Sequence, residues 1–251
     1  MMRRHEVSDA SWVVVAPLLS GKVSDCGVTA KDNRLFFKAV LWIARTGCPW
    51  ADLPERFGKT NSVCRRFRRL AQKGGWQRLF EAVQAPDLVW VMLDSTVLRA
   101  HQHSAGQKKS DPQTECLGRS RGGISTKIHA CVEAQGQGVR LIATAGQAGD
   151  SPQTLPLLAD LQPGKVLADT AYASDATRAY CAQKGSEAVI PNRPNRVEPF
   201  VLDEAAYRDR NKIERFFGRL KHYRRLATRY EKTIVSFLAF WYIGAAMDWF
   251  R

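Results

Sequence analysis

Tyr207-Arg-Asp-Arg-Asn-Lys-Ile-Glu-Arg-Phe-Phe-Gly-Arg-Leu-Lys221 places Tyr207, Arg210, Glu214 and Lys221 at steps of three, four and seven. An α-helix turns about 100° per residue, so these four side chains fall within an arc of roughly 60°. One helix face then carries an aromatic hydroxyl, a guanidinium, a carboxylate and an ammonium in line. Ile213, Phe217 and Leu220 form the adjoining apolar stripe, which can anchor the helix on a core. A lone carboxylate flanked by cations suits a metal ion that must sit beside a phosphate. The competing reading is a solvated basic helix with one ion pair.

Working outward, the segment from Leu88 to Ile190 alternates strand and helix patterns. Leu88-Val-Trp-Val-Met-Leu93 is a nearly continuous apolar run ending at Asp94 and reads as a buried central strand. Ile124 to Glu133 and Val139 to Ala145, joined by Ala134-Gln-Gly-Gln-Gly138, read as a hairpin. Gly149-Asp150-Ser151-Pro152 reads as the cap of a helix over Leu155 to Leu161. Lys165 to Ala168 reads as a strand ending at Asp169, Ser174 to Lys184 as a helix, and Glu187 to Ile190 as a strand. The polar stretch from His101 to Gly123, with Lys108 and Lys109, reads as a long loop. This order predicts an α/β fold, a mixed sheet with helices on its faces. If the first and fourth strands are neighbours, Asp94 and Asp169 lie side by side, and the last helix can bring Glu214 to them.

Residues before Ala85-Pro86 look different. Helices are expected after Ser8, over Asp32 to Arg45, and from about Thr60–Ser62 to Lys73, with a short helical piece over Trp50 to Gly58. The third of these carries Arg65, Arg66, Arg68 and Arg69. Helix, glycine-bearing turn and basic helix outline a helix-turn-helix DNA reader, against the alternative of a three-helix bundle with a basic outer face. The expected organisation is a small all-α domain over 1–84 and an α/β domain over 85–251.

Bulk properties agree with a nucleic-acid partner. The 251 residues carry 38 Lys+Arg against 24 Asp+Glu, a formal net charge of +14. So basic a chain favours a polyanion, and 45% hydrophobic residues suffice for a full-sized core. The six cysteines show no C-x-x-C spacing, which argues against structural zinc and for reduced thiols. The opening Met1-Met-Arg-Arg-His-Glu6 is followed by no apolar leader, and the apolar run Phe237 to Phe250 is too short for a bilayer and is interrupted by Asp248. A cytoplasmic protein with no membrane partner is expected. His101 and His103 alternate in a loop with no third ligand nearby, so they are not read as metal ligands.

Taken together, these residues resemble the RNase H-like core of DDE transposases. Tyr207, Arg210, Glu214 and Lys221 are similar to the Y-x-x-R-x-x-x-E-x-x-x-x-x-x-K signature of bacterial insertion-sequence transposases, with every spacing met. Leu93-Asp-Ser-Thr-Val97 resembles the family's first-Asp strand, Ala168-Asp-Thr-Ala-Tyr-Ala-Ser-Asp175 its second-Asp turn, and Gly118 to His129 the stretch after its loop. Trp50-Ala-Asp-Leu-Pro-Glu-Arg-Phe-Gly58 resembles part of its N-terminal DNA-binding segment. Thr170 departs from the larger or basic residue expected after the second Asp.

The resemblance implies a transposase that binds the terminal inverted repeats of an insertion sequence. It would cleave the DNA ends by metal-dependent phosphodiester hydrolysis and join the 3′-OH to target DNA. Asp94, Asp169 and Glu214 would be the catalytic, metal-holding set for two Mg²⁺ ions, with Mn²⁺ as a substitute. Asp94 would bridge both ions. Without metal, three converging carboxylates would repel and leave the site loose. Arg210 and Lys221 would hold DNA phosphates. From their charge alone, Arg119, Arg121 and Lys127 are candidates for phosphate contacts or are simply solvated, and the clustered Arg65, Arg66, Arg68 and Arg69 are read as DNA-binding. Tyr207 would pack on a sugar or base, or be an ordinary half-buried tyrosine. The expected partner is double-stranded DNA, bound by a homodimer in the bacterial nucleoid. The alternatives are a catalytically silent, transposase-derived repressor and a nuclease of RNA–DNA hybrids.

Overall fold

The computed structural model describes residues 7–104 and 114–251. The Met1–Glu6 leader reading, and the part of the expected loop that holds Lys108 and Lys109, lie outside the described residues.

Helix α1 (Asp9–Val15) starts where the Ser8 hydroxyl accepts from the Ser11 N–H. Helix α2 (Asn33–Thr46) starts at Asp32, whose carboxylate accepts from the Leu35 N–H, and stops at Gly47. Gly47 sits at φ +71°, and a Cβ there would lie 2.9 Å from the Arg224 Cβ; both facts require glycine. Two 3-10 turns, Trp50–Asp52 and Glu55–Phe57, follow Pro49 and Pro54. Helix α3 (Thr60–Gln72) then carries the arginines, and α4 (Gly75–Ala82) follows. The N-terminal region is thus helical, but residues 47–59 separate α2 from α3. A helix-turn-helix needs only three or four residues there. Both prolines restrict the backbone and prevent a direct turn between the helices.

The sheet begins with β1 (Trp90–Arg99), followed by β2 (Gly118–Ser120), β3 (Gly123–Glu133) and β4 (Gly138–Ala145). Helix α5 (Thr154–Leu158), β5 (Lys165–Ala168), α6 (Asp175–Gln183) and β6 (Glu187–Val189) complete the alternation. The six strands run in the order β2-β3-β1-β5-β6, with β4 also paired to β3. Strand β1 is antiparallel to β3 and parallel to β5, which is parallel to β6. This is the expected α/β, RNase H-like mixed sheet flanked by helices. One expectation needs correction: β1 does not end at Asp94. It continues to Arg99 because Ser95–Arg99 pair with β3 as far as Arg99↔Ser125. Its pairing with β5 does stop there, at Leu93↔Ala168.

Side chains alternate across a strand. Val91 and Leu93 of β1 join Cys131, Val166 and Ala168 in a buried cluster with Leu157 and Leu158 of α5 and Cys181 of α6. Met92 and Asp94 therefore face the other side. After β6 come α7 (Glu204–Tyr207), a 3-10 turn over Arg208–Arg210, and α8 (Asn211–Lys221). Phe216 of α8 is fully buried and lies against Gly138 of β4. Helices α9 (Arg224–Ala227) and α10 (Ile234–Asp248) close the chain.

Residues up to 84, 101–104 and 220–251 form one compact unit, and 85–100 with 114–219 form the other. By contacts, residues 220–251 of the expected 85–251 segment group with the N-terminal helices. Helix α10 is apolar all round and so needs a partner on every side. It lays Phe240 against Phe67 of α3 at 4.5 Å between ring centroids, and Tyr242 against Phe80 of α4 at 5.7 Å. Among the described residues no helix is long and apolar enough to cross a membrane.

The glycines of this fold make a paired prediction. A Cβ at Gly138 would lie 2.7 Å from Phe216 Cζ, whereas a Cβ at Gly218, inside α8, would meet nothing within 4 Å. Gly138→Ala should lower stability by about 1–3 kcal/mol through overpacking. Gly218→Ala should raise it by about 0.5–1 kcal/mol through backbone entropy. Urea unfolding of both variants checks the signs.

Candidate active site

The β1–β5 ladder ends at Leu93↔Ala168, so Asp94 and Asp169 leave adjacent strands next to one another. Asp94 Oδ1 accepts from the Ser95 N–H at 2.7 Å, and Oδ2 faces Arg210 Nη1 at 3.2 Å. Arg210 Nη2 donates to Glu214 Oε1 at 2.7 Å. One guanidinium thus ties two of the three expected acids. Asp169 accepts from the Ala171 N–H at 2.9 Å and so caps the 3-10 turn Thr170–Tyr172. Burial pushes the Asp94 carboxyl above its usual range, with the nearby Asp169 charge adding to the rise; the Ser95 N–H and Arg210 oppose it. Burial alone would lower Arg210, but Asp94, Tyr207, Glu214 and Asp169 outweigh it and raise it. Asp94 and Asp169 repel one another as expected, and Arg210 offsets part of that repulsion. Among the described residues no three His, Cys, Asp or Glu side chains stand together as a metal-holding group. Glu214 is joined to Asp94 through Arg210 instead.

Tyr207 and Arg210 do not share a regular α-helix with Glu214. Tyr207 ends α7, Arg210 ends the 3-10 turn, and Glu214 and Lys221 lie on α8. The backbone stays right-handed throughout, so the face is kept although the turn winds more tightly. The Arg210 guanidinium sits 6.0 Å from the Tyr207 ring centroid, and Tyr207 is half-buried. Lys221 is exposed at the end of α8.

Two family models match the chain. One, described as "Transposase DDE domain", covers residues 86–249, and one described as "Putative transposase of IS4/5 family" covers residues 7–80. The chain belongs to the DDE transposase family. It is similar to a protein of Brucella ovis described as "Putative transposase for insertion sequence element IS6501", with 42% identity over 130 residues, 51% of this chain and 100% of the relative. A Burkholderia cepacia protein described as "Insertion element IS402 uncharacterized 16.2 kDa protein" is 30% identical over 120 residues, 43% of this chain and 80% of the relative. Among solved structures, a piggyBac transposase synaptic complex with hairpin DNA aligns with a TM-score of 0.54 and 11% identity over 93% of this chain and 68% of that one. At that identity the likeness speaks for the fold alone.

The family's other expected DNA-facing residues divide. Arg65, Arg68 and Arg69 of α3 are exposed, as are Arg119 of β2 and Arg121. Arg66 is turned inward: it donates to the Ser20 carbonyl at 2.8 Å and to Asn33 Oδ1, and its guanidinium lies 4.0 Å from the Phe36 ring centroid. Lys127 is likewise turned inward, its side chain only 12% exposed. Its ammonium donates to the Ala148 carbonyl at 2.7 Å and to Asp150 at 3.0 Å, so it does not present itself to a DNA phosphate. His101 and His103 pack on one another at 4.6 Å between centroids, and His101 packs on Tyr230 at 5.1 Å.

A polar cluster beside the acids escaped the sequence reading. Asp150 does not cap the helix after it; its carboxylate accepts from Ser95 Oγ at 2.9 Å and from Lys127. His129 lies 3.4 Å from the same carboxylate and bonds Thr144 Oγ1 through Nε2 at 2.8 Å. The usable signal was period two: Lys127 and His129 are polar positions on one face of an otherwise apolar strand. Burial lowers His129 to about 4, with Lys127 adding to the fall and Asp150 opposing it. His129 is therefore neutral near pH 7. The unfolded histidine takes up a proton near pH 6.5 and the folded one only near 4, so stability should fall as pH drops through this window. The loss is on the order of 3 kcal/mol at most. Urea midpoints between pH 7 and pH 4 should show this slope, and His129→Gln should flatten it.

Proposed function

We propose that the protein is an insertion-sequence transposase that binds terminal inverted repeats, nicks the element ends, and joins the freed 3′-OH to target DNA. The observation that carries this reading is the adjacency of Asp94 and Asp169 at the parting of β1 and β5, with Glu214 linked to Asp94 through Arg210.

The donor set fits Mg²⁺, which prefers carboxylate oxygens and keeps several waters. Asp94 and Asp169 leave adjacent strands side by side, so their carboxylate oxygens are available to one small hard cation. When bound, two such ions would stabilise the attacking and leaving oxygens of an in-line displacement. Asp94, Asp169 and Glu214 are the residues that would hold the ions. Arg210 keeps Asp94 and Glu214 in register before metal arrives and lies where a backbone phosphate beside Glu214 could take its place as partner. Tyr207, whose ring lies under the Arg210 guanidinium, would pack on a sugar or base.

DNA binding would fall chiefly to residues 1–84, with the exposed Arg65, Arg68 and Arg69 on backbone phosphates. Arg119, Arg121 and Lys221 would add further phosphate contacts. Such contacts fix register and carry little sequence information. Joining two ends in one event calls for two copies of the chain on DNA.

The test is Mg²⁺-dependent nicking of labelled duplexes carrying the inverted repeats that flank the gene. Wild type should nick at the repeat ends. Glu214→Gln should bind equally and nick more than about 100-fold slower, a larger loss than removing an outer partner of a ligand causes. Tight repeat binding by wild type with no nicking in Mg²⁺ or Mn²⁺ would instead identify a DNA-binding repressor.

A further inference from the structure

The ladder between β1 and β5 stops one residue before the two aspartates. Beyond that point β1 runs on, while the other chain breaks into the turn Thr170–Tyr172. No strand pairing then fixes the gap between Asp94 and Asp169, so something else must. Segment 150–154 is attached to both sides. Asp150 accepts from Ser95 Oγ at 2.9 Å, next to Asp94 on β1. Ser151 Oγ lies 3.0 Å from Ser174 Oγ, in the segment that follows Asp169. Ser174 donates on to Thr177 at 2.9 Å, and the buried Thr154 hydroxyl lies 3.4 Å from the same Thr177 oxygen.

We propose that Asp150 and Ser151 form a brace that sets the spacing of Asp94 and Asp169, which makes Asp150 and Ser95 positioning residues for the cleavage proposed above. The inference rests on that reading and deepens it. Neither residue touches DNA or metal. Asp150 acts through the Ser95 side chain, whose backbone N–H orients Asp94 Oδ1. Lys127 anchors Asp150 and is itself pinned to the Ala148 carbonyl, so the brace is rigid at its base. A largely desolvated ion pair of this kind contributes little net stability. Its value lies in fixed geometry.

The chemistry separates this role from an ordinary structural ion pair. Ser95→Ala removes one hydroxyl and leaves the Lys127–Asp150 pair intact. Ser95→Thr keeps the hydroxyl on a side chain that strands accept. Two readouts apply to the full-length protein: Mn²⁺ binding followed by electron paramagnetic resonance without DNA, and single-turnover nicking of pre-bound repeat ends. Ser95→Ala should weaken Mn²⁺ binding and slow nicking by about 10-fold each, the usual effect of removing an outer partner, and Ser95→Thr should recover most of both. Repeat-DNA affinity and the melting temperature should not change. Asp150→Asn should follow Ser95→Ala in both readouts; if it fails to fold, Ser95→Ala decides alone.

Wild-type Mn²⁺ affinity and nicking in Ser95→Ala would overturn the brace while leaving the catalytic reading in place. Wild-type protein that binds Mn²⁺ without nicking leaves the brace to be decided on the metal readout. Wild-type protein that neither binds Mn²⁺ nor nicks would overturn both.

Discussion

The parallel pairing of β1 with β5 is the constraint on which the rest of this structure depends. Four residue pairs, from Trp90↔Lys165 to Leu93↔Ala168, fix the register. A slip of one residue would turn every side chain of a strand to the opposite face. It would turn Asp94 into the cluster of Val91, Cys131 and Leu157 and take Leu93 out of it. The apolar side of the sheet therefore enforces the polar side. The same core that holds α5 and α6 delivers two carboxylates to one place.

Electrostatics then shape what the strands bring together. Burial raises the Asp94 carboxyl, and the neighbouring Asp169 charge adds to the rise. Arg210 relieves part of this and reaches Glu214 as well, so a single guanidinium coordinates the third acid with the first. Membership of the DDE transposase family accords with this grouping, since the family model runs across all three acids. On the opposite face, Lys127 and Asp150 form a second charged pair beside Ser95. Charges of both signs thus lie on both sides of β1 where its pairing with β5 ends.

Much of this was legible because it was periodic. The strand at Val91–Leu93, the hairpin around Gly136 and the helix bearing Glu214 and Lys221 each follow from local pattern, and each formed. Four features were not legible, for physical reasons. The extension of β1 to Arg99 depends on its pairing with β3, a non-local partner that Ser95–Arg99 do not announce. The 3-10 turn over Arg208–Arg210 differs from an α-helix by a slight tightening that residue spacing does not encode. The inward turn of Arg66 and Lys127 depends on acceptors far along the chain, Asn33 and Asp150, so a count of cations in the sequence overstates the exposed positive charge. The grouping of residues 220–251 with the N-terminal helices likewise rests on aromatic contacts such as Phe67 with Phe240, remote in sequence.

The central claim is that Asp94 and Asp169 together form a cation site. The most direct measurement is anomalous diffraction from crystals grown with Mn²⁺. The account predicts a peak bonded to oxygens of both Asp94 and Asp169, at about the 2.0–2.2 Å usual for a small hard cation. A peak bound elsewhere, or one touching only one of the two aspartates, would contradict it.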